Sequence, residues 1–200
     1  MTKDILNAID DCIRAASFLR EKCSIEFIEK VATTIANCYR AGGKLLIAGN
    51  GGSLCDAIHF AEELTGYYRL KRAALAAVAL SDPGHLTCVG NDVGFHHVFA
   101  RSVEALGKEG DLLILLSTSG NSMNLVHAAE IAKERGLVVI GFLGKGGGIL
   151  KEHVEIGWSV DGFSFSDRIQ EAHMAAIHII IEKVEQELFA PVRDLCERSF

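Results

Sequence analysis

Five apolar runs recur along the chain, each separated from the next by a polar or amphipathic stretch. They are KLLIA (44–48), ALAAVAL (74–80), DLLILLS (111–117), LVVIGFL (137–143) and VEIGWSV (154–160). Short, near-continuous apolar runs suit strands buried on both faces, and helical patterns lie near 53–66, 95–106, 122–135 and 167–189. That alternation predicts βα units on a mainly parallel sheet. Two further helical patterns, near 3–20 and 24–41, precede any strand. They predict a helical extension that packs on the sheet or on another subunit. No long linker interrupts the chain, so a single domain is expected over 1–200: N-terminal helices in 1–41, a core in 42–189 and a tail in 190–200.

Bulk properties narrow the class. The 200 residues are 49% hydrophobic and 23% charged with only two prolines, enough for a substantial core and against disorder. A net charge of −6 without a basic stripe argues against nucleic acid as a partner. No apolar run approaches the roughly 20 residues of a membrane span. The opening MTKDILNAIDDC lacks the basic-then-apolar order of a signal peptide, so a cytoplasmic location is expected. Cys12, Cys23, Cys38, Cys55, Cys88 and Cys196 are scattered with no CxxC pair and read as reduced packing residues.

An internal echo points to the site. GKLLIAGNGGSLCDAIHFA (43–61) and GDLLILLSTSGNSMNLVHAA (110–129) align without gaps at an offset of 67. Each is a strand, a small-residue turn and a helix start, and such turns face ligands at the carboxyl ends of parallel strands. The first is no dinucleotide fingerprint, because Leu54 stands where the third glycine is needed, and no Gly-Lys-Ser/Thr follows to make a P-loop. Asn50, Gly51 and Gly52 instead suit the approach of a small polar ligand; the simpler alternative is a tight turn needing positive φ. In the second loop Ser117, Thr118, Ser119 and Ser122 offer four hydroxyls at a helix N-terminus. One would suffice as a cap, so a phosphate is expected, and the lack of lysine favours a sugar phosphate over a triphosphate.

Two helices hold the remaining candidates. His59 and Glu63, at i and i+4, share a helix face and suit one metal ion or one substrate group, although such pairs also occur as solvated surface pairs. In SDRIQEAHMAAIHIIIEKVEQEL, Ser166 reads as an N-cap and Asp167 as a first-turn acid. His178 lies between Ile177 and Ile179, where a satisfied core histidine is the plain reading. Gln170 sits about 12 Å before it along an ideal helix. His173 falls on another face.

Taken together, GNGGSxCDAxHFAEELTG, AxSD, CVGND, EGDxLxxxSTSGNS and DRIQExH with a later His resemble the phosphoheptose isomerases of the sugar-isomerase (SIS) domain family, over roughly Ala41 to Leu188. The resemblance implies a three-layer α/β sandwich, flavodoxin- or Rossmann-like, with a five-stranded parallel sheet behind the N-terminal helices. It implies a homotetramer with sites at subunit interfaces, converting sedoheptulose 7-phosphate to D-glycero-D-manno-heptose 7-phosphate at the start of bacterial surface-heptose synthesis. Ser117, Thr118, Ser119 and Ser122 would hold phosphate, while Asn50, Gly51, Gly52, Asn91 and Asp92 would line the sugar. His59, Glu63, Gln170 and His178 would bind one zinc ion per subunit. Glu63 would act as base and His178 as acid, with Asp167 and Gln170 orienting His178 or contacting hydroxyls. A zinc-bound carboxylate is a poorer base, so ligand and base conflict in Glu63. The rival readings are a non-catalytic SIS protein that binds the replication initiator, a sugar-phosphate sensor domain, and an isomerase of another sugar phosphate.

Overall fold

The computed structural model describes residues 2–189; the expected tail, 190–200, and Cys196 lie outside them. Two helices come first, α1 (Thr2–Ser17) and α2 (Lys22–Arg40). Alternating units follow: β1 (Leu45–Gly49), α3 (Gly52–Thr65), β2 (Ala77–Ala79), α4 (Pro83–Asp92), α5 (Val98–Leu106), β3 (Leu112–Ser117), α6 (Met123–Glu134), β4 (Val138–Gly144), β5 (Ile156–Val160) and α7 (Ser166–Phe189). The five strands form one parallel sheet in the order β2-β1-β3-β4-β5.

The echo in the sequence is the register of the sheet. Leu45 pairs with Leu112, Leu46 with Leu113, and so on to Gly49 with Leu116, each pair 67 residues apart. The two repeats therefore lie side by side, and their turns emerge together at the carboxyl end of the sheet. Lys44 and Asp111 close the other end: the Lys44 amide donates to Asp111 at 2.9 Å, and its ammonium pairs with the same carboxylate.

Alternation along the strands divides the core. Leu45, Ile47, Leu112, Ile114, Ile140 and Phe142 face α2, α3 and α7, whereas Leu46, Ala48, Leu113, Leu115 and Val139 face α5 and α6. The result is three layers, each sheet face covered as a parallel sheet requires. The N-terminal extension joins the first layer. Phe27 of α2 stacks on Trp158 with ring centroids 5.3 Å apart, and the indole N–H donates to Ser24 Oγ at 3.0 Å. By contrast α1 leaves Ile5, Leu6, Ile9 and Ile13 exposed.

One helix was not expected. α4 is short and lacks a clear apolar stripe, but its start carries local signals: Asp82 accepts from the His85 amide at 2.6 Å, with Pro83 at the first position. Ser166 is the first residue of α7 rather than the cap expected before it. Among the described residues no helix is long and apolar enough to cross a membrane. Cys12, Cys23, Cys38, Cys55 and Cys88 are free thiols.

Candidate active site

From β1 the chain runs through α3 to β2 on one side; from β3 it runs through α6 to β4 on the other. The strand order reverses between β1 and β3, the position where open α/β sheets bind ligands. The two turns are fastened there by a reciprocal amide pair: Asn50 Nδ2 donates to Asn124 Oδ1 at 3.0 Å, and Asn124 Nδ2 to Asn50 Oδ1 at 2.9 Å. Gly51 has φ +57°, so the tight-turn alternative for the first loop is real. Gly52 has a second reason to be glycine, since a Cβ there would meet the Gln170 side chain at 2.6 Å.

A pocket of about 190 Å³ opens over these turns, lined by Asn50, Ser53, Leu116, Ser117, Thr118, Ser119, Ser122, Ser166 and Gln170. Six of the nine are hydroxyl residues and two are amides, and no lysine or arginine is among them. Three helix N-termini contribute: α3 through Ser53, α6 through Ser122, and α7 through Ser166 and Gln170. Each brings the positive end of a helix dipole. Ser117 Oγ accepts from the Gly120 amide and Ser119 Oγ from the Asn121 amide, which shapes the loop, and Thr118 Oγ1 donates to Ser166 Oγ. Ser122 occupies the N-cap position of α6, yet its side chain makes no capping bond. Its hydroxyl is thus left for a ligand, against the simple capping alternative.

The second feature lies farther along α3 and α7. His59, Glu63 and His178 each offer a ligand atom, all within 4.8 Å of one another. His59 Nε2 is 3.4 Å from Glu63 Oε1, and the His59 and His178 rings meet edge to face at 5.1 Å. His178 is half-buried, so it is not the satisfied core histidine of the plain reading. Burial holds its pKa below the usual imidazole value, reinforced by His59 and opposed by Glu63. One turn back on α3, Asp56 Oδ2 is buried without a partner, and burial raises that carboxyl to about 6 against the pull of His59.

The SIS domain family model matches residues 10–144. The phosphoheptose isomerase of Enterobacter sp. (strain 638) is 49% identical over 173 residues, 86% of this chain and 90% of that protein. The one from Proteus mirabilis (strain HI4320) is 50% identical over 171 residues, 86% and 89% of the two chains. The chain belongs to the phosphoheptose isomerases of the SIS domain family. Solved relatives have the same fold. Phosphoheptose isomerase GmhA from Neisseria gonorrhoeae superposes with a TM-score of 0.85 at 37% identity, covering 92% of this chain and 98% of that one. A phosphoheptose isomerase from Francisella tularensis gives 0.86 at 32% identity, with 93% and 99% covered.

The expected residues fall into three sets, two that each come together and one that stands apart. The serine loop, Asn50 and Gln170 meet at the pocket; His59, Glu63 and His178 meet at the second cluster. Gln170, expected as a fourth metal ligand, is placed by the structure in the pocket, its Nε2 3.5 Å from Ser53 Oγ. Asn91 and Asp92 stand exposed at the end of α4, Asn91 Nδ2 donating to Asp92 Oδ1 at 2.6 Å. Asp167 is exposed and accepts from the Arg168 amide at 2.9 Å. His173 is fully buried, its Nε2–H donating to the Leu143 carbonyl at 2.8 Å, and has no place in the site.

Ser53 and Tyr68 are site residues that the sequence reading does not single out. Ser53 carried a signal, standing in the first loop as a hydroxyl does in the second. Ser166 was read only as a cap. Tyr68 stacks on His178 at 5.8 Å and 20°, from a segment with no periodicity to mark it.

Proposed function

We propose that this chain interconverts sedoheptulose 7-phosphate and D-glycero-D-manno-heptose 7-phosphate through an enediol, an aldose–ketose isomerisation opening the synthesis of heptose precursors. The observation that carries the reading is the placement of a hydroxyl-lined pocket and a His–Glu–His cluster at different points along the same two helices. Gln170 in the pocket and His178 in the cluster are eight residues apart on α7, about 12 Å along the axis. That separation suits the phosphate and carbonyl ends of a long, open-chain sugar.

In this reading Ser117, Thr118, Ser119 and Ser122, with Ser53 and Ser166, donate to the phosphate oxygens. Asn50, Gly51, Gly52 and Gln170 flank the sugar chain. Glu63 removes the C1 proton of the ketose while His178 donates a proton to the C2 carbonyl oxygen, giving the enediol; Glu63 then returns its proton to C2 as His178 takes back the O1 proton, and the aldose forms. His59, Glu63 and His178 fit a zinc ion by donor type and by clustering. Gln170 is retained as a fourth ligand from the resemblance alone. Zinc, when bound, polarises the substrate oxygens. Glu63 is the better base the less tightly it is ligated, which keeps its two roles in tension. Asp167 is kept as a residue that orients His178 or meets a hydroxyl.

The proposal includes a homotetramer with sites at subunit interfaces, in the cytoplasm. The apolar face of α1 (Ile5, Leu6, Ile9 and Ile13) supports self-association. In such an assembly the exposed Asn91 and Asp92 would serve a site completed by a neighbour. The test is to incubate the purified protein with sedoheptulose 7-phosphate, with and without a chelator. Aldose that forms, and disappears on chelation, is the expected result; none formed in the presence of added zinc would refute the reading.

A further inference from the structure

Behind the His–Glu–His cluster lies a buried ion pair that the isomerase chemistry above does not use. The Arg72 and Glu185 side chains are 1% and 2% exposed, with Nε to Oε1 at 2.8 Å. Glu185 is on α7, seven residues and two turns after His178, so both side chains project from nearly the same face. Arg72 belongs to the segment 66–76 that joins α3 to β2 without regular structure.

Arg72 closes the end of α3. Its Nη2 donates to the Glu63 carbonyl at 2.9 Å, and Nη1 to the carbonyls of Leu64 at 2.9 Å and Gly66 at 3.3 Å. These include carbonyls of the last helical turn, which lack partners within a helix. A guanidinium offers five N–H donors in a rigid fork, against three on the flexible stem of an ammonium, so it can hold these carbonyls and the Glu185 carboxylate together. The other Glu185 oxygen accepts from the amides of Arg69 and Leu70, at 3.1 and 3.2 Å. Arg69 in turn pairs with Glu182 of α7 at 2.6 Å, and its guanidinium lies 5.4 Å from the Tyr68 ring. Tyr68, held from that side, stacks on His178.

The pair thus grips the backbone of Glu63 with one hand and the helix of His178 with the other, and the loop it holds presses Tyr68 against the imidazole. We propose that Arg72 and Glu185 are positioning residues for the isomerase: they set the separation of Glu63 from His178 and the orientation of the His178 ring. The inference rests on the function proposed above. It adds two residues that touch neither substrate nor metal.

Three full-length variants test it: Glu185→Gln, Arg72→Lys, and the paired Arg72→Met with Glu185→Leu. The paired change removes both charges at similar volume, so no lone charge is left buried. Each variant is measured for kcat and KM on sedoheptulose 7-phosphate, for zinc affinity by chelator competition, and for inorganic phosphate binding by calorimetry. The expected result is a kcat lowered ten- to a hundredfold and a zinc affinity lowered at least tenfold. Phosphate affinity should stay within twofold, because the serine pocket lies at the opposite ends of α3 and α7. A folded variant with kcat and zinc affinity within twofold of wild type overturns the proposal. So does a parallel loss of phosphate affinity, or the failure of all three variants to fold, either of which assigns the pair to stability alone. Wild-type turnover is read first: its absence counts against the proposed function, while the metal and phosphate affinities still test the positioning.

Discussion

Asn50 and Asn124 exchange two hydrogen bonds through their side-chain amides, joining the turn after β1 to the first turn of α6. This pair holds the two halves of the pocket at a fixed distance. Asn124 is buried, so Asn124→Leu strands the Asn50 amide at a cost of about 1–3 kcal/mol. The expected outcome is a lower Tm together with a KM raised about tenfold. An unchanged KM in the destabilised protein would show that the loops keep their places without the pair.

Ser122 separates stability from binding. Replacing an N-cap serine by alanine ordinarily costs about 1 kcal/mol, but this hydroxyl makes no capping bond. Ser122→Ala should therefore leave Tm nearly unchanged. A hydrogen bond to a charged phosphate is worth about 1.5–3 kcal/mol, so KM should rise roughly ten- to a hundredfold. Calorimetric unfolding and steady-state kinetics on one preparation decide between a cap and a ligand group.

Glu63→Gln and His178→Ala remove the proposed base and acid. Each should lower kcat by about 10²–10⁴ while the fold persists. Turnover at the wild-type level in either variant would end the assignment.

His173 makes stability depend on pH. Burial lowers its pKa to about 4, against 6.5 for the free side chain. As pH falls below 6.5 the unfolded chain takes up a proton that the folded chain refuses, so stability is full above that pH and declines toward pH 4. The slope is about 1.4 kcal/mol per pH unit while the difference is one proton. His173→Gln, which retains a donor for the Leu143 carbonyl, should flatten the profile of unfolding free energy between pH 4 and 6.5 by close to one proton. A slope identical to wild type would place the titration elsewhere.

The apolar face of α1 has a direct test. Ile9→Asp combined with Ile13→Asp should dissociate the proposed tetramer, read as a fall in mass by light scattering. A wild-type mass would free this face from any part in the interface.

Much of the architecture was legible in the residues, because a strand buried on both faces must be apolar throughout and a helix beside it must be striped. The five runs and the six long helical patterns are present in the fold. The offset of 67 between two strand–turn–helix stretches indicated like architecture, and the structure shows it to equal the register of β1 on β3, since like segments paired side by side keep like turns together. The loop hydroxyls and the His59–Glu63 pair were readable for the same local reason: spacing along a turn or a helix sets which side chains share a face. Only the tertiary structure decided how distant segments meet. It lifted His178 out of the core reading by setting α7 against α3, put Gln170 beside Ser53 at the pocket, and left Asn91 and Asp92 outside it. It also brought Tyr68, Arg72 and Glu185 together behind the cluster. Their separations in sequence, 117 residues between Ser53 and Gln170 and 113 between Arg72 and Glu185, follow no local period. Such pairs are chosen by the packing of whole helices on a sheet, which no spacing along the chain can specify.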